Sequence, residues 1–332
     1  LKVVVQGNLS FLIFVKYDMK TTRRKFIKNT SAGLLGALFV PAFMKGDELS
    51  KYPAQLNYKP NPSEWDNNKI TIAWIGHSTM LINFYGKWIL TDPVLYDRVG
   101  VYLFGGTIGP ERLTPPALRI NEIPKPDIIL LSHAHMDHMD YPTLRDITEK
   151  YPGEIDVITA YLTHDVINDL PWKSLNVMDW NDKLTLQDIK FRALEVEHFG
   201  WRYPWEKDRS RGFMKDGRSY NAYLIEYNDK KILFGGDTRM TDKFNVIKDE
   251  QVDIAMMPLG AYNPWKRNHC NPEEALQMAD EISAKYFIPM HTKTFQQGKE
   301  PFMEPIDWMK RSAQNYNLKI GLEEIGQTFE LS

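Results

Sequence analysis

The residues best able to do chemistry are concentrated in Ser132-His133-Ala134-His135-Met136-Asp137-His138. Three histidines and an aspartate fall within six positions, directly after the apolar run Asp127–Leu131. Imidazole and carboxylate are borderline-hard ligands that suit zinc, iron or manganese. His133 and His135 are two apart, so the end of a strand can aim both the same way. Asp137 and His138 follow on the turn and can serve a second ion. Four polar side chains closing a buried strand need a common partner, and a metal supplies one.

The chain holds eight histidines, and further ligand types recur at the ends of expected strands. His198 follows Ile189–Val196, Asp237 follows Lys231–Phe234 in Gly235-Gly236-Asp237, and His291 follows Tyr286–Pro289. Singly, Asp237 reads equally as a turn residue and His291 as a satisfied core histidine. With the cluster they form the order H-x-H-x-D-H … H … D … H.

The elements that must position these groups are mostly strands. Ile70–Ile75, Met80–Tyr85 and Trp88–Thr91 are short β-rich runs, and Ala222–Tyr227 and Lys231–Phe234 form a hairpin about Asn228-Asp229. Asp253–Met257 is another strand. Pro142–Lys150, Pro272–Ala284 (Asn271 as N-cap) and Pro305–Asn315 read as helices, and Leu318–Leu331 as a last hairpin. No internal repeat is visible. The pattern predicts an α/β chain, two sheets sandwiched between helices, in one domain over residues 69–332.

At this point the sequence resembles the metallo-β-lactamase-fold hydrolases. The likeness is strongest to the branch of N-acylphosphatidylethanolamine-hydrolysing phospholipase D and ascorbate-phosphate lactonase. It is carried by Trp74-Ile75-Gly76-His77-Ser78-Thr79, Leu90-Thr91-Asp92-Pro93, the histidine cluster, Phe234-Gly235-Gly236-Asp237-Thr238, Pro258-Leu259-Gly260-Ala261-Tyr262 and His269-Cys270-Asn271-Pro272-Glu273-Glu274-Ala275. The resemblance implies an αββα four-layer sandwich and two divalent ions, zinc first, with manganese and iron as alternatives. It gives His133, His135 and His198 to one ion, Asp137, His138 and His291 to the other, and Asp237 and a hydroxide to the bridge. It also places His269 near the metals, as a donor to the leaving group or oxyanion, or else as a residue ordering the helix after it. Two loops depart from the family pattern, at His198-Phe199-Gly200-Trp201-Arg202 and at His291-Thr292-Lys293-Thr294-Phe295.

Around these, Asp92 is expected to accept from a ligand imidazole, and His77 to support the site without ligating. Residues 199–220 are rich in aromatic and basic groups (Trp201, Arg202, Tyr203, Trp205, Arg209, Arg211, Arg218) and read as a substrate-facing lid whose arginines meet phosphate or carboxylate. Tyr262 and Trp265 are expected at the same mouth. Cys270, the single cysteine, is not needed as a nucleophile.

Charge separates a head from a body. Residues 1–50 carry net +5 and the remaining residues −7, against −2 for all 332. The acidic body disfavours nucleic acid as a partner. A mean hydropathy of −0.42 excludes a polytopic membrane protein. Thr22-Arg23-Arg24-Lys25-Phe26-Ile27-Lys28 followed by the apolar 32–40 resembles a twin-arginine export signal over residues 19–48, behind an upstream extension 1–18 and ahead of a linker or arm 49–68. The expectation is an exported protein, periplasmic or held to the membrane by an uncleaved signal. Its substrate is a small molecule or lipid, with peripheral membrane contact open. The function expected is metal-dependent hydrolysis of a phosphodiester, lactone or related ester. The alternatives are a β-lactamase-like amide hydrolase and a non-catalytic metal- or lipid-binding protein.

Overall fold

The computed structural model describes residues 54–207, Arg209 and residues 217–332. The expected extension, signal segment and Arg211 lie outside the described residues.

The first half runs β1 (Ile70–Gly76), β2 (Thr79–Phe84), β3 (Lys87–Thr91), β4 (Val101–Leu103), β5 (Gly106–Ile108), β6 (Ile128–Leu130), α1 (Tyr141–Lys150), β7 (Asp156–Ala160) and β8 (Ser174–Met178). The second half runs β9 (Lys183–Leu186), β10 (Ile189–Glu195), β11 (Asn221–Tyr227), β12 (Lys230–Phe234), β13 (Ile254–Pro258), α2 (Pro272–Glu281), β14 (Tyr286–Met290), α3 (Glu304–Ser312), β15 (Lys319–Ile320) and β16 (Thr328–Leu331), with a short helical turn at Tyr262–Trp265.

Two seven-stranded sheets form among the described residues, ordered β16-β1-β2-β3-β6-β7-β8 and β9-β10-β11-β12-β13-β14-β15. Reading each from its first strand, three antiparallel pairings are followed by three parallel ones. The sheets are therefore two copies of one topology, a repeat that the sequence does not display. The expected last hairpin does not form. β15 pairs parallel with β14 in the second sheet and β16 antiparallel with β1 in the first.

Every residue of β1, β2, β7 and β13 is buried, as expected for strands covered on both faces. One contiguous apolar cluster draws on both sheets and on Leu144, Ile147, Leu276 and Met309 of the helices. The expected αββα sandwich is the observed architecture. Residues 54–68 lie along this body. Ala54 donates to the Leu113 carbonyl at 3.1 Å, and Trp65 stacks on Trp88 with ring centres 5.4 Å apart.

The repeat explains where the chemistry sits. β3 ends in Thr91-Asp92, and its counterpart β12 ends in Gly235-Gly236-Asp237. β1 leads to His77, and its counterpart β10 to His198. Strand ends of both sheets thus bring the ligand types to one edge.

Candidate metal centre

The loop after β6 delivers His133, His135, Asp137 and His138, and two caps fix the chain around it. Asp140 caps α1, accepting from the Thr143 N–H at 3.2 Å and its hydroxyl at 2.6 Å. Asn271 and Glu274 form a reciprocal capping box at the start of α2, just after His269. Such caps contribute about 1 kcal/mol each, and here they also set where the ligand loops end. His77, Asp92, Ala261, His291 and Lys293 all have φ between +32° and +64°. Non-glycine residues rarely adopt this region, and such strain gathers where side chains must be aimed from tight turns. At Gly260 a Cβ would lie 2.2 Å from the His291 carbonyl oxygen, so only glycine fits beside that ligand.

Seven of the eight histidines converge here, His164 being the exception. In one cluster His133 Nε2 lies 2.8 Å and His198 Nε2 3.2 Å from His135 Nδ1. In the other, His138 Nε2 and His291 Nε2 lie 3.4 and 3.3 Å from Asp137 Oδ2. Asp237 Oδ2 sits between them, 3.2 Å from His138 Nε2, 3.1 Å from His291 Nε2 and 3.8 Å from His198 Nε2. Donors held about 2.0–2.1 Å from one tetrahedral ion stand roughly 3.4 Å apart, so these separations match metal donor sets.

The outer hydrogen bonds leave the inward nitrogens bare. His198 Nδ1 is 2.9 Å from the Asn268 carbonyl, so it donates and Nε2 keeps its lone pair. His138 Nδ1 is 2.6 Å from Asp92 Oδ2. His133 Nδ1 is 2.8 Å from the Ser132 hydroxyl, which itself donates to Asp92 at 2.5 Å. Asp92 thus fixes the orientation of two candidate donors, an arrangement of the kind by which supporting groups orient metal-bound imidazoles. His138 Nε2 and Asp237 Oδ1 are buried without a hydrogen-bond partner among the described residues. Buried polar atoms left this way cost free energy, and divalent ions would satisfy them. The residues fit the group.

The electrostatics agree. Burial and neighbouring imidazoles push His133 far below the usual histidine range and His135 down to about 3, which keeps both neutral and ready to ligate. Burial works to raise Asp137 and Asp237, yet facing His138 and other imidazoles holds both well below the usual carboxylate range. Burial works against His291 too, but Asp237 and Asp137 raise it to about 9. Without an ion, protons on these imidazoles take the place that a divalent cation would fill, and an arriving ion would displace them.

His77 lies closer than a purely structural part requires. Its Nε2 is 3.0 Å from Asp137 Oδ2, and the Gln297 amide donates to the same oxygen at 2.7 Å. Both hold the Asp137 carboxylate in place. Gln297 was not singled out from sequence, because nothing in its neighbourhood marks it. His269 reaches the centre, with Nδ1 3.7 Å from Asp237 Oδ2 and its ring stacked 5.2 Å from that of His291.

A cavity of about 660 Å³ opens over these groups, walled by Met136, Phe199, Trp201 and Trp265 with Arg202, Arg267 and His269. Trp201 is placed as expected. The described arginines of the lid are not free for substrate. Arg202 lines the cavity, but its Nη1 donates to the carbonyls of Ala134 at 2.6 Å and Met139 at 3.0 Å, clamping the ligand loop. Arg209 pairs with both Asp179 oxygens and lies over Trp180, and Arg218 pairs with Glu206 and Asp165. Tyr262 also departs from expectation. Its hydroxyl donates to Glu304 at 2.6 Å and its ring meets Trp308 edge-on, so its neighbours Ala261 and Trp265 line the cavity instead. Cys270 is buried, and burial pushes its thiol far up, so it is no nucleophile.

Fold and donor set define the class, and sequence comparison agrees. The family described as a beta-lactamase superfamily domain matches residues 87–292, and the chain belongs to it. It is a metal-dependent hydrolase of the metallo-β-lactamase fold. Among curated relatives, an uncharacterised protein of Mycobacterium tuberculosis is 26% identical over 274 residues, covering 81% of this chain and 70% of its own length. N-acyl-phosphatidylethanolamine-hydrolyzing phospholipase D 1 of Caenorhabditis elegans is 28% identical over 257 residues, 72% of this chain and 68% of its own. The solved structure of Igni18, a metallo hydrolase of Ignicoccus hospitalis, aligns with a TM-score of 0.58 at 16% identity, covering 80% of this chain and 99% of its own, a likeness of fold alone.

Proposed function

We propose that the chain is an exported hydrolase that works with two divalent ions, zinc the favoured pair. Its substrate is a phosphodiester, lactone or related ester, and an N-acylphosphatidylethanolamine-type phospholipid is the leading candidate. The observation that carries this reading is Asp237 Oδ2, within 3.8 Å of donor nitrogens from both clusters. His133, His135 and His198 would hold one ion, Asp137, His138 and His291 the other, and Asp237 both. Bound there, such a pair lowers the pKa of a shared water towards neutrality and polarises the ester oxygen.

The chain's own groups do the remainder. Asp137, held by His77 and Gln297, keeps its carboxylate fixed and anionic. His269, buried and held far below the usual histidine range by that burial, is neutral at working pH. Its imidazole can donate one N–H to the departing or developing oxyanion. Met136, Phe199 and Trp201 offer an apolar wall that suits an acyl chain. The phospholipase activity in the name of the Caenorhabditis elegans relative supports a lipid phosphodiester.

The test is a panel with and without chelator: N-acylphosphatidylethanolamine in mixed micelles, a bis-aryl phosphodiester, aliphatic lactones and a chromogenic β-lactam. Chelator-sensitive turnover of a phosphodiester or lactone is expected. Turnover of the β-lactam alone would shift the reading to amide hydrolysis. The export part is tested by replacing Arg23 and Arg24 with Lys and fractionating cells. Unchanged export of that variant would sink the twin-arginine route.

A further inference from the structure

The hairpin β4–β5 contributes no residue to the donor clusters or to the cavity over them. No charged residue occurs from Val99 to Pro110. Its turn is Phe104-Gly105, with φ of 50° and 84°. A two-residue hairpin turn of this kind favours Asn-Gly or Asp-Gly, and water favours a polar tip. This chain instead places phenylalanine there, in a conformation bulky residues rarely adopt. Phe104 is 106% exposed, Ile108 68% and Leu103 48%. Below the tip lies a collar of amphipathic groups. Tyr102 accepts from Arg145 at 3.2 Å, Tyr96 bonds Asp146, and Arg98 pairs with Glu111 at 3.1 Å.

We propose that this hairpin inserts its tip into a lipid surface, with Tyr96, Tyr102 and the arginines at headgroup level. Three observations favour lipid over a protein partner. The layering of an apolar tip above tyrosines and arginines is the order that a bilayer interface selects. Three projecting side chains cannot supply the roughly 800 Å² per partner that a stable protein interface needs. The described chain begins at the foot of the hairpin, where Ala54 bonds Leu113, next to Arg112. Fifty-three residues precede Ala54 in the sequence, among them the apolar stretch 32–40 behind a basic cluster, a composition suited to a membrane surface. The foot also touches the site loops. Leu113 donates to the Thr294 carbonyl at 2.7 Å, three residues before Gln297.

The test uses the full chain. Phe104→Cys gives one reactive thiol, because Cys270 is buried, and it is labelled with an environment-sensitive nitrobenzoxadiazole dye. Vesicles of phosphatidylethanolamine and phosphatidylglycerol should blue-shift the emission, and spin-labelled lipid should quench it. In parallel, the triple variant Leu103→Ser, Phe104→Ser, Ile108→Ser should keep its circular dichroism spectrum and bind the vesicles at least tenfold more weakly than wild type. Unchanged dye emission on adding vesicles would overturn the proposal, as would wild-type vesicle binding by the triple variant. A blue shift that grows with protein concentration in the absence of lipid would overturn it in favour of a second copy of the chain.

Discussion

Replacing Asp92 with Asn should weaken the metal site of His138, which Asp92 holds directly, more than that of His133, which it holds only through Ser132. Asp92 is fully buried and accepts three hydrogen bonds, from the Ser132 N–H at 2.8 Å, the Ser132 hydroxyl at 2.5 Å and His138 Nδ1 at 2.6 Å. Asparagine keeps one acceptor oxygen, which can serve the Ser132 N–H, but turns the other oxygen into an NH2 donor. The Ser132 hydroxyl can rotate to accept from it. His138 cannot rotate, so its Nδ1 must become the acceptor and its proton must move to Nε2. That nitrogen is the one aimed at Asp137 and Asp237. A ligand must lose this proton before it can bind an ion. Loss of a supporting group of this kind typically costs 10- to 100-fold in affinity, about 1.4–2.7 kcal/mol. Competition titration against a chromophoric chelator should resolve two equivalents in wild type and show one of them weakened by that factor in Asp92→Asn. Circular dichroism should stay unchanged. Two sites of wild-type affinity in the variant, or equal weakening of both, would refute the tautomer argument.

Other outcomes follow from the same geometry. Arg202→Met leaves the Ala134 and Met139 carbonyls without their donor, at about 1–3 kcal/mol for each one left unsatisfied. Its melting temperature should fall, and added metal should restore activity with KM unchanged, whereas a substrate-contacting arginine would raise KM irrespective of metal. Burial works to raise the Asp179 carboxyl, but Arg209 and the Trp180 N–H hold it below its ordinary value. A depressed carboxylate contributes stability that is complete above about pH 4 and is lost as pH falls further. The stability gap between wild type and Asp179→Asn should therefore hold above about pH 4 and shrink progressively as pH falls below it, and a gap independent of pH would count against the pair. Asp137→Asn should retain the fold and lose turnover on any confirmed substrate. Near wild-type activity would remove Asp137 from the centre.

The convergence of the donor residues was legible because metal binding would demand particular residue types at strand ends, and types and spacing are what a sequence displays. β1, β2, β3, β11 and β12 were legible through short apolar runs broken at turns. β7 was missed because four apolar residues around Asp156 are too short a run to tell strand from helix. β8 and β9 are half exposed and carry little pattern. The fate of the C-terminal strands was hidden for another reason. Alternation specifies which face a residue occupies and not which strand lies beside it, so β16 joining β1 across more than 250 residues leaves no local trace. The lid arginines misled because an arginine beside a metal ligand looks alike whether it meets an anion or its own backbone. Arg202 is told apart only by the carbonyls of Ala134 and Met139.

The claim that all else rests on is that both donor clusters hold an ion. Elemental analysis of protein purified without added metal or chelator tests it most directly, read beside His198→Ala and His291→Ala variants. Two equivalents of divalent transition metal per chain are expected in wild type, with about one equivalent lost in each variant. A wild-type content near zero after gentle purification, or one equivalent that survives both substitutions, would contradict it.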